Sequence, residues 1–569
     1  MGAHSSALTP GGRSGALAPN ACIKTMVVTT ATAIPKSAFT LVTPAMMNPA
    51  RTLLSVADIR QTKLLTLARR LRSLSHRVRS APRAAAPRHA HCLKRAAGSF
   101  LPPKPYGGAA GRSAPDFRGL PGFCRVAATL KPTSDSDIRI EVWIPLRENW
   151  NGKFTGAGSG GLGGAIDYGA LLPALGRGYA AATTDTGHDN SGPAGSFALG
   201  HPEKVIDYGY RSIHLTAVVG KEIVARYFGR AATHAYFAGC SQGGQEGLME
   251  AQRFPTDYDG IIAGDPDYNQ THHEVGAHLW MVTALFANDG AMLSSDTAAL
   301  VGHAVNEACD ALDGVRDGVL ENPRRCHFDP GVLQCKGAAG PNCLTAPQVE
   351  AIRKLWQGPD GATADGYYPG LERGGEADTW RGWIASPSPE FNGHGALGLP
   401  FFKYFVFGDP NWDFRTFNFR TDPPVLEQKL ATALDATDAN LAPFERRGGK
   451  LIHYHGFSDP DVPPESSIRY YENVVRTLGG QARVGTFYRL FMVPGMGHCG
   501  GGPGATSFDM LPALEQWVEH GQAPEKIIAA RITDGGVNRT RPLCPYPQEA
   551  RYRGTGSTDD SGNFDCRAP

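Results

Sequence analysis

Gly239-Cys240-Ser241-Gln242-Gly243-Gly244 follows the short apolar run Ala235-Tyr236-Phe237-Ala238 and precedes Gln245-Glu246-Gly247-Leu248-Met249-Glu250-Ala251. The first run has the length and content of a buried strand, the second those of a helix. A Gly-x-Ser-x-Gly between strand and helix is the pattern of a nucleophile elbow. Its glycines allow a turn tight enough to strain the serine backbone and leave the hydroxyl standing clear at the helix N-terminus. Small residues also cluster in ordinary turns, so the bare string fits a structural turn equally well. The flanking elements, and a cysteine directly before the serine, set this one apart.

Upstream, Ile138-Arg139-Ile140-Glu141-Val142-Trp143-Ile144-Pro145 alternates as a half-exposed strand should. Lys153-Phe154-Thr155 leads into the glycine-dense loop 156–164, and Tyr179-Ala180-Ala181-Ala182-Thr183-Thr184-Asp185 reads as a buried strand. Residues 213–227 have helical spacing. Downstream, Lys450-Leu451-Ile452-His453-Tyr454-His455-Gly456 and Tyr488-Arg489-Leu490-Phe491-Met492-Val493 are strand candidates with a helix over 466–475 between them. Strands alternating with helices predict an α/β fold with a mainly parallel sheet. Between 276 and 444 that rhythm stops. The segment carries four cysteines and many aromatics, Trp280, Trp356, Trp380, Trp383, Phe401 and Phe402 among them, and reads as an inserted lid whose aromatics mostly form its own core. The catalytic domain is therefore expected over 91–275 and 445–569.

The chain has 569 residues, more than one ordinary domain, and a formal charge of +2 that says little about partners. No apolar run reaches the length of a membrane span. Residues 51–100 hold 12 Lys or Arg against the single acid Asp58. Residues 1–90 read as a disordered leader or a targeting segment, with no clean signal peptide and no nucleic acid expected as a partner. Eleven cysteines without a Cys-x-x-Cys motif point to an oxidising compartment, secreted or periplasmic; ten pair and Cys22 is left over.

A serine hydroxyl is a poor nucleophile unless a base, held by an acid, removes its proton. In α/β-hydrolases these residues follow in the order Ser, Asp or Glu, His, each at the carboxyl end of a strand. The strand at 450–456 runs into Phe457-Ser458-Asp459-Pro460-Asp461, and that at 488–493 into Pro494-Gly495-Met496-Gly497-His498-Cys499. Asp459 and His498 have the right order and place; Asp461 is the competing acid, further past its strand. Cys499 directly follows the histidine as Cys240 directly precedes the serine. If Ser241 and His498 are in contact, the two sulfurs are forced together, and a Cys240–Cys499 disulfide would staple nucleophile to base.

Cys-Ser, then Asp, then His-Cys resembles the tannase and feruloyl esterase family, which includes mono(2-hydroxyethyl) terephthalate hydrolase-like enzymes. The likeness runs from about 92 to 569 and extends to Thr184-Asp185-Thr186-Gly187-His188, to Phe254-Pro255-Thr256-Asp257-Tyr258-Asp259-Gly260, and to Ser467-Ile468-Arg469-Tyr470-Tyr471. The resemblance implies an α/β-hydrolase fold with a large inserted lid domain, and Ser241 as nucleophile, His498 as base and Asp459 as orienting acid. The oxyanion hole is expected from the backbone N–H of Gln242 and of Gly160. In the lid, Cys309-Asp310-Ala311-Leu312-Asp313-Gly314-Val315-Arg316-Asp317-Gly318-Val319 has three closely spaced carboxylates suited to a hard cation. By resemblance it is a structural calcium loop, with side chains of Asp310, Asp313 and Asp317 and carbonyls of Val315 and Val319 as ligands. The family's pairings further imply Cys92–Cys124, Cys309–Cys326, Cys335–Cys343 and Cys544–Cys566.

The expected activity is carboxylic-ester hydrolysis of small aromatic esters, hydroxycinnamoyl or galloyl, through an acyl-enzyme and without an organic cofactor. The alternative is a mono(2-hydroxyethyl) terephthalate-like monoester. That enzyme holds its substrate's free carboxylate with a lid arginine, and residues 386–402 contain no Arg or Lys. Gln245 and Asp265 stand where relatives more often have Arg and Ala, and Asp265 is close enough to the elbow to alter the pocket. A non-catalytic hydrolase-like binding protein would show a missing triad member, and none is missing.

Overall fold

The computed structural model describes residues 120–359 and 367–569, with the backbone of Met26–Val27 and His91–Leu93. The chain divides into two units, Met1–Val27 with Met46–His91, and Val28–Ala45 with Cys92–Pro569. The leader reading for 1–90, Cys22 and the Cys92 end of the Cys92–Cys124 pairing fall on positions whose side chains lie outside the described residues. The sheet strands from Phe123 onward, the lid and the candidate site all belong to the second unit.

Its sheet contains β1 (Phe123–Leu130), β2 (Ile138–Pro145), β3 (Phe154–Ala157), β4 (Ala180–Thr184), β5 (Ala235–Cys240), β6 (Gly260–Gly264), β7 (Lys450–Gly456) and β8 (Tyr488–Val493). They lie in the order β1-β2-β4-β3-β5-β6-β7-β8. β1–β2 and β2–β4 pair antiparallel, and every later neighbour is parallel. The helices that bear on the site and its supports are α1 (Ser212–Phe228), α2 (Gln242–Arg253), α3 (Ser295–Cys309), α4 (Ala346–Gln357), α5 (Gly393–Phe401), α6 (Glu465–Thr477) and α7 (Leu511–His520). One face of the sheet closes over Ile140, Phe154, Phe237, Ile261, Ile213 of α1 and Ile468 of α6. The other closes over Tyr236, Ile262, Ile452, Phe491 and, from α7, Leu514 and Trp517.

Covering both faces explains why the central strands read as unbroken runs of apolar and small residues. It also corrects one expectation. β2 is not half-exposed: seven of its eight residues are buried, because its second face is covered too, Trp143 packing with Leu171 and Leu175. Its Glu141, 4% exposed, is satisfied by Arg125, by Trp143 Nε1 and by the Tyr168 hydroxyl.

β3 is followed in sequence by β4 on one side of it, while β5 lies on the other. The order reverses there, so the loops leaving β3 and β5 diverge and open a crevice at the carboxyl ends of the strands. This crevice holds the elbow. The inserted region builds two cores of its own. One joins α3 and α4 through Val301, Val305, Ile352 and Leu355 and buries Trp356 and Trp380. The other gathers Phe401, Phe402 and Phe405 with Leu426 and Leu430, and reaches Val205 and Tyr208 of the catalytic part. Most lid aromatics are thus core, as expected.

Candidate active site

Ser241 sits between β5 and α2 with φ 63° and ψ −125°, a conformation L side chains rarely adopt. Its N–H donates to Gly264 O at 3.0 Å and its carbonyl accepts from Gln245 N–H at 3.1 Å, so both ends of the residue are tied down. The glycines are required by crowding. A Cβ on Gly239 would run into the Gly243 carbonyl, and one on Gly243 would lie 2.8 Å from Ser159 O in the loop after β3.

That loop is anchored from α2. Glu246, fully buried, accepts from Ser159 N–H at 2.8 Å and from the Ser159 hydroxyl at 2.7 Å. Burial pushes its carboxyl up to about 7, against the two Ser159 bonds. With Ser159 N–H engaged, the next amide, Gly160, makes no hydrogen bond among the described residues, and neither does the amide of Gln242 at the start of α2. These are the two donors expected of an oxyanion hole. The Gln242 side chain is pinned away from them by the Tyr208 hydroxyl at 3.0 Å and by Gln245 at 3.1 Å.

The carboxyl ends of β7 and β8 deliver Asp459 and His498. His498 Nδ1 lies 2.8 Å from Asp459 Oδ2. Asp459 Oδ1 accepts from the N–H groups of Asp461 and Val462 at 2.8 and 3.0 Å, which fixes the carboxylate's orientation. Burial alone would raise the Asp459 carboxyl, but the charge on His498 and the bonds from His455 and His498 outweigh it and hold it below its usual range. Burial alone would likewise lower His498, and the carboxylates of Asp459 and Asp461 outweigh it in the upward direction. Both shifts favour an imidazolium–carboxylate pair.

Among the described residues the Ser241 hydroxyl makes no hydrogen bond to His498. His498 Nε2 instead faces Asp461 Oδ2 at 3.4 Å. The two acids two residues apart thus hold opposite nitrogens of one ring. Trp383 of the lid stands edge-on to the same ring, centroids 5.7 Å apart. Asp265, buried and with φ 36°, accepts from Gly456 N–H at 2.7 Å and from Cys499 N–H at 3.1 Å. It ties the end of β6 to the loops bearing Asp459 and His498, a bracing role that its place in the sequence only hinted at. Sequence reasoning missed His455 and Trp383: His455 Nε2 is 3.3 Å from Asp459 Oδ2, and its position as the penultimate residue of β7 was the available signal.

The disulfide Cys240–Cys499 forms, with Cα atoms 6.0 Å apart, as do Cys309–Cys326, Cys335–Cys343 and Cys544–Cys566. The 310–319 loop curls beside a small cavity of about 20 Å³ lined by Asp313, Val315, Asp317 and Val319 with Arg539 and Arg541. Four of the five expected calcium ligands thus share one space, and all would offer oxygen, the donor a hard cation takes. Asp310 turns instead to the N–H groups of Asp317 and Gly318, at 3.3 and 3.1 Å. Asp317 pairs with Arg541 and, at 3.2 Å, with Arg539.

A strained serine at a strand–helix turn, two free amides beside it and a His–Asp pair stapled to it by a disulfide suit attack on a carboxylic ester. Similarity to known proteins agrees. The profile of the tannase and feruloyl esterase family matches residues 124–567. The chain is 42% identical over 489 residues to an uncharacterized esterase of Xanthomonas campestris, covering 79% of this chain and 84% of that one. It is 36% identical over 526 residues to the mono(2-hydroxyethyl) terephthalate hydrolase of Piscinibacter sakaiensis, covering 79% and 85%. The crystal structure of feruloyl esterase B from Aspergillus oryzae superposes with a TM-score of 0.72 at 30% identity, over 78% of this chain and 90% of that one. With the fold, the elbow and these likenesses in agreement over most of its length, the chain belongs to the tannase and feruloyl esterase family and is a carboxylic ester hydrolase.

Proposed function

We propose that the protein hydrolyses small aromatic carboxylic esters of the hydroxycinnamoyl or galloyl type, with Ser241 as nucleophile, His498 as general base and Asp459 as the acid that orients it. The observation that carries this reading is the His498–Asp459 pair at 2.8 Å, tied through the Cys240–Cys499 disulfide to the residue next to the strained serine. For proton transfer His498 Nε2 must face the serine hydroxyl, so the ring or the hydroxyl shifts from the resting arrangement in which Nε2 faces Asp461. Attack on the ester carbonyl places negative charge on its oxygen, where the amides of Gly160 and Gln242 would receive it. His498 then returns the proton to the departing alcohol, and water releases the acid by the same steps in reverse. Trp383, edge-on to His498, would give the substrate an aromatic wall.

A panel of methyl ferulate, methyl gallate and mono(2-hydroxyethyl) terephthalate tests the substrate class. Turnover of at least one of the two methyl esters is expected, and no turnover of any of the three would overturn the reading. The terephthalate alternative has less support, since the lid segment 386–402 offers no cation for a free carboxylate.

The loop 310–319 is proposed to hold a structural calcium through Asp310, Asp313, Asp317 and the carbonyls of Val315 and Val319. Its chemistry there would be to neutralise and cross-link the carboxylates, with no part in the ester reaction. Stripping calcium with EGTA is expected to lower Tm by a few degrees, because a ligand bound only to the folded state stabilises it by mass action. Calcium, not magnesium, should restore the value, and Asp313→Asn should remove the effect; an EGTA-insensitive Tm would count against the site. Four disulfides among the described residues suit an oxidising compartment, and no helix among those residues is long and apolar enough to cross a membrane. Export to the periplasm or the medium is the reading these favour.

A further inference from the structure

Behind His498 the lid and the β7 loop bury His273, His278, His394, Asp267, Glu274 and Asp461, each less than a tenth exposed. Among the described residues the three carboxylates pair only with histidines. No lysine or arginine among the described residues supplies the positive charge that so many buried acids require.

The arrangement of the imidazoles is specific. His278 Nδ1 lies 2.9 Å from Glu274 Oε2, and its Nε2 lies 3.0 Å from Asp461 Oδ1. His273 Nδ1 is 2.9 Å from Asp267 Oδ1, too far out of line for a good hydrogen bond, and its Nε2 is 3.1 Å from the Asp461 carbonyl. A neutral imidazole has one N–H. His273 can give its single N–H to the Asp461 carbonyl at Nε2, but His278 has a carboxylate on each nitrogen. With its N–H given to Glu274, the Nε2 lone pair faces Asp461 Oδ1 at 3.0 Å, and a positive charge has to lie between. His394 closes the cluster from α5. It is fully buried, neither of its nitrogens makes a well-aligned hydrogen bond although the Pro460 carbonyl lies near, and its Nδ1 is 3.7 Å from Asp461 Oδ1.

Rings with a carboxylate on one nitrogen and the other turned inward are the usual setting of metal-binding histidines. Ligand atoms of His273, His278 and Asp461 all lie within 4.8 Å of one another. The edge of a zinc tetrahedron with Zn–N bonds of ~2.05 Å is about 3.3 Å, between the 3.0 and 3.7 Å that separate Asp461 Oδ1 from His278 and His394. The local backbone serves the same end. Five residues apart, His273 and His278 would point about 140° apart on an α-helix, but Glu274–Leu279 is a π-helical turn, which brings them to one side. Such turns recur at functional sites.

We propose that His273, His278, His394 and Asp461 bind a zinc-class divalent cation, separate from the calcium loop and directly behind the proposed catalytic base. Asp461 would be shared, Oδ1 toward the cation and Oδ2 toward His498 Nε2. Nitrogen-rich ligands disfavour calcium and magnesium and suit zinc and its first-row neighbours, among which cobalt reports coordination number by its spectrum.

The test is metal stoichiometry, which does not depend on which ester the enzyme cleaves. Protein stripped with chelator and resupplied with calcium is equilibrated with Zn²⁺ or Co²⁺, and bound metal is counted by elemental analysis, alongside protein as purified from zinc-supplemented medium. One zinc per chain is expected, with the visible absorption of four-coordinate cobalt in the Co²⁺ form. His394→Ala and His273→Gln should each lower zinc retention at least tenfold. Should either variant fail to fold, as judged by near-UV circular dichroism, the other variant and the wild-type cobalt spectrum decide. No metal in the wild-type protein by either route, a six-coordinate cobalt spectrum, or zinc retained unchanged in the folded variants would overturn the site and leave imidazolium ions as the source of the charge.

Discussion

Ser241→Ala is expected to abolish ester turnover, lowering kcat by about 10⁶-fold, the loss seen when a triad nucleophile is removed from a serine hydrolase. The size reflects the machinery that would remain. The amides of Gly160 and Gln242 would still receive the carbonyl oxygen, but no covalent intermediate could form and water would have to attack unaided. The backbone should tolerate the change, since Ser241 is held at φ 63° by bonds from its own N–H and carbonyl, not by its side chain. A kcat on methyl ferulate or another accepted ester, with a melting curve to show the fold intact, gives the answer. A folded variant within tenfold of wild type would remove Ser241 from the mechanism.

The second large effect is expected from Cys240→Ser combined with Cys499→Ser. The bond closes a loop across a sequence separation of 259 residues, for which chain entropy sets a ceiling of roughly 5 kcal/mol. Local consequences add to this. Cys499 has φ 59°, and its N–H donates to the buried Asp265. Without the sulfur link, His498 keeps its bond to Asp459, its contacts with Asp461 and Trp383, and that one neighbouring amide. Tm should fall by several degrees and kcat by more than the loss of folded protein explains. Cys499 is exposed, so mild reductant acting on the native enzyme should reproduce the kinetic defect. A double variant with unchanged Tm and kcat would show the disulfide to be dispensable to both stability and the placement of His498.

The parts of the fold that depend on local pattern were legible in the chain alone. β7 and β8 lie at 450–456 and 488–493 as expected, and α1, α2 and α6 differ from their expected spans by a few residues at the ends. Glycine spacing marked the elbow, and the adjacency of Cys240 to Ser241 and of Cys499 to His498 marked their meeting. The exposure of β2 was misread, since alternation of residue types does not say what covers a face; Glu141 is buried by partners that include the distant Tyr168.

By itself, then, the sequence determined the α/β order, the candidate serine, acid and histidine, and the cysteines that unite them. These depend on turn geometry and on neighbours along the chain. Only the tertiary structure decided that Asp459 takes Nδ1 of His498 while Asp461 faces Nε2, that Asp265 braces both loops, and that Glu246 fixes Ser159 so that the Gly160 amide stays free. It alone gathered His273, His278 and His394 onto Asp461, and it set Arg541 against Asp317 across 224 residues of chain. Periodicity says which side of an element a residue occupies, but which buried charges meet is settled by how separate elements pack, because the cost of burying each charge is met only by the partner that packing supplies.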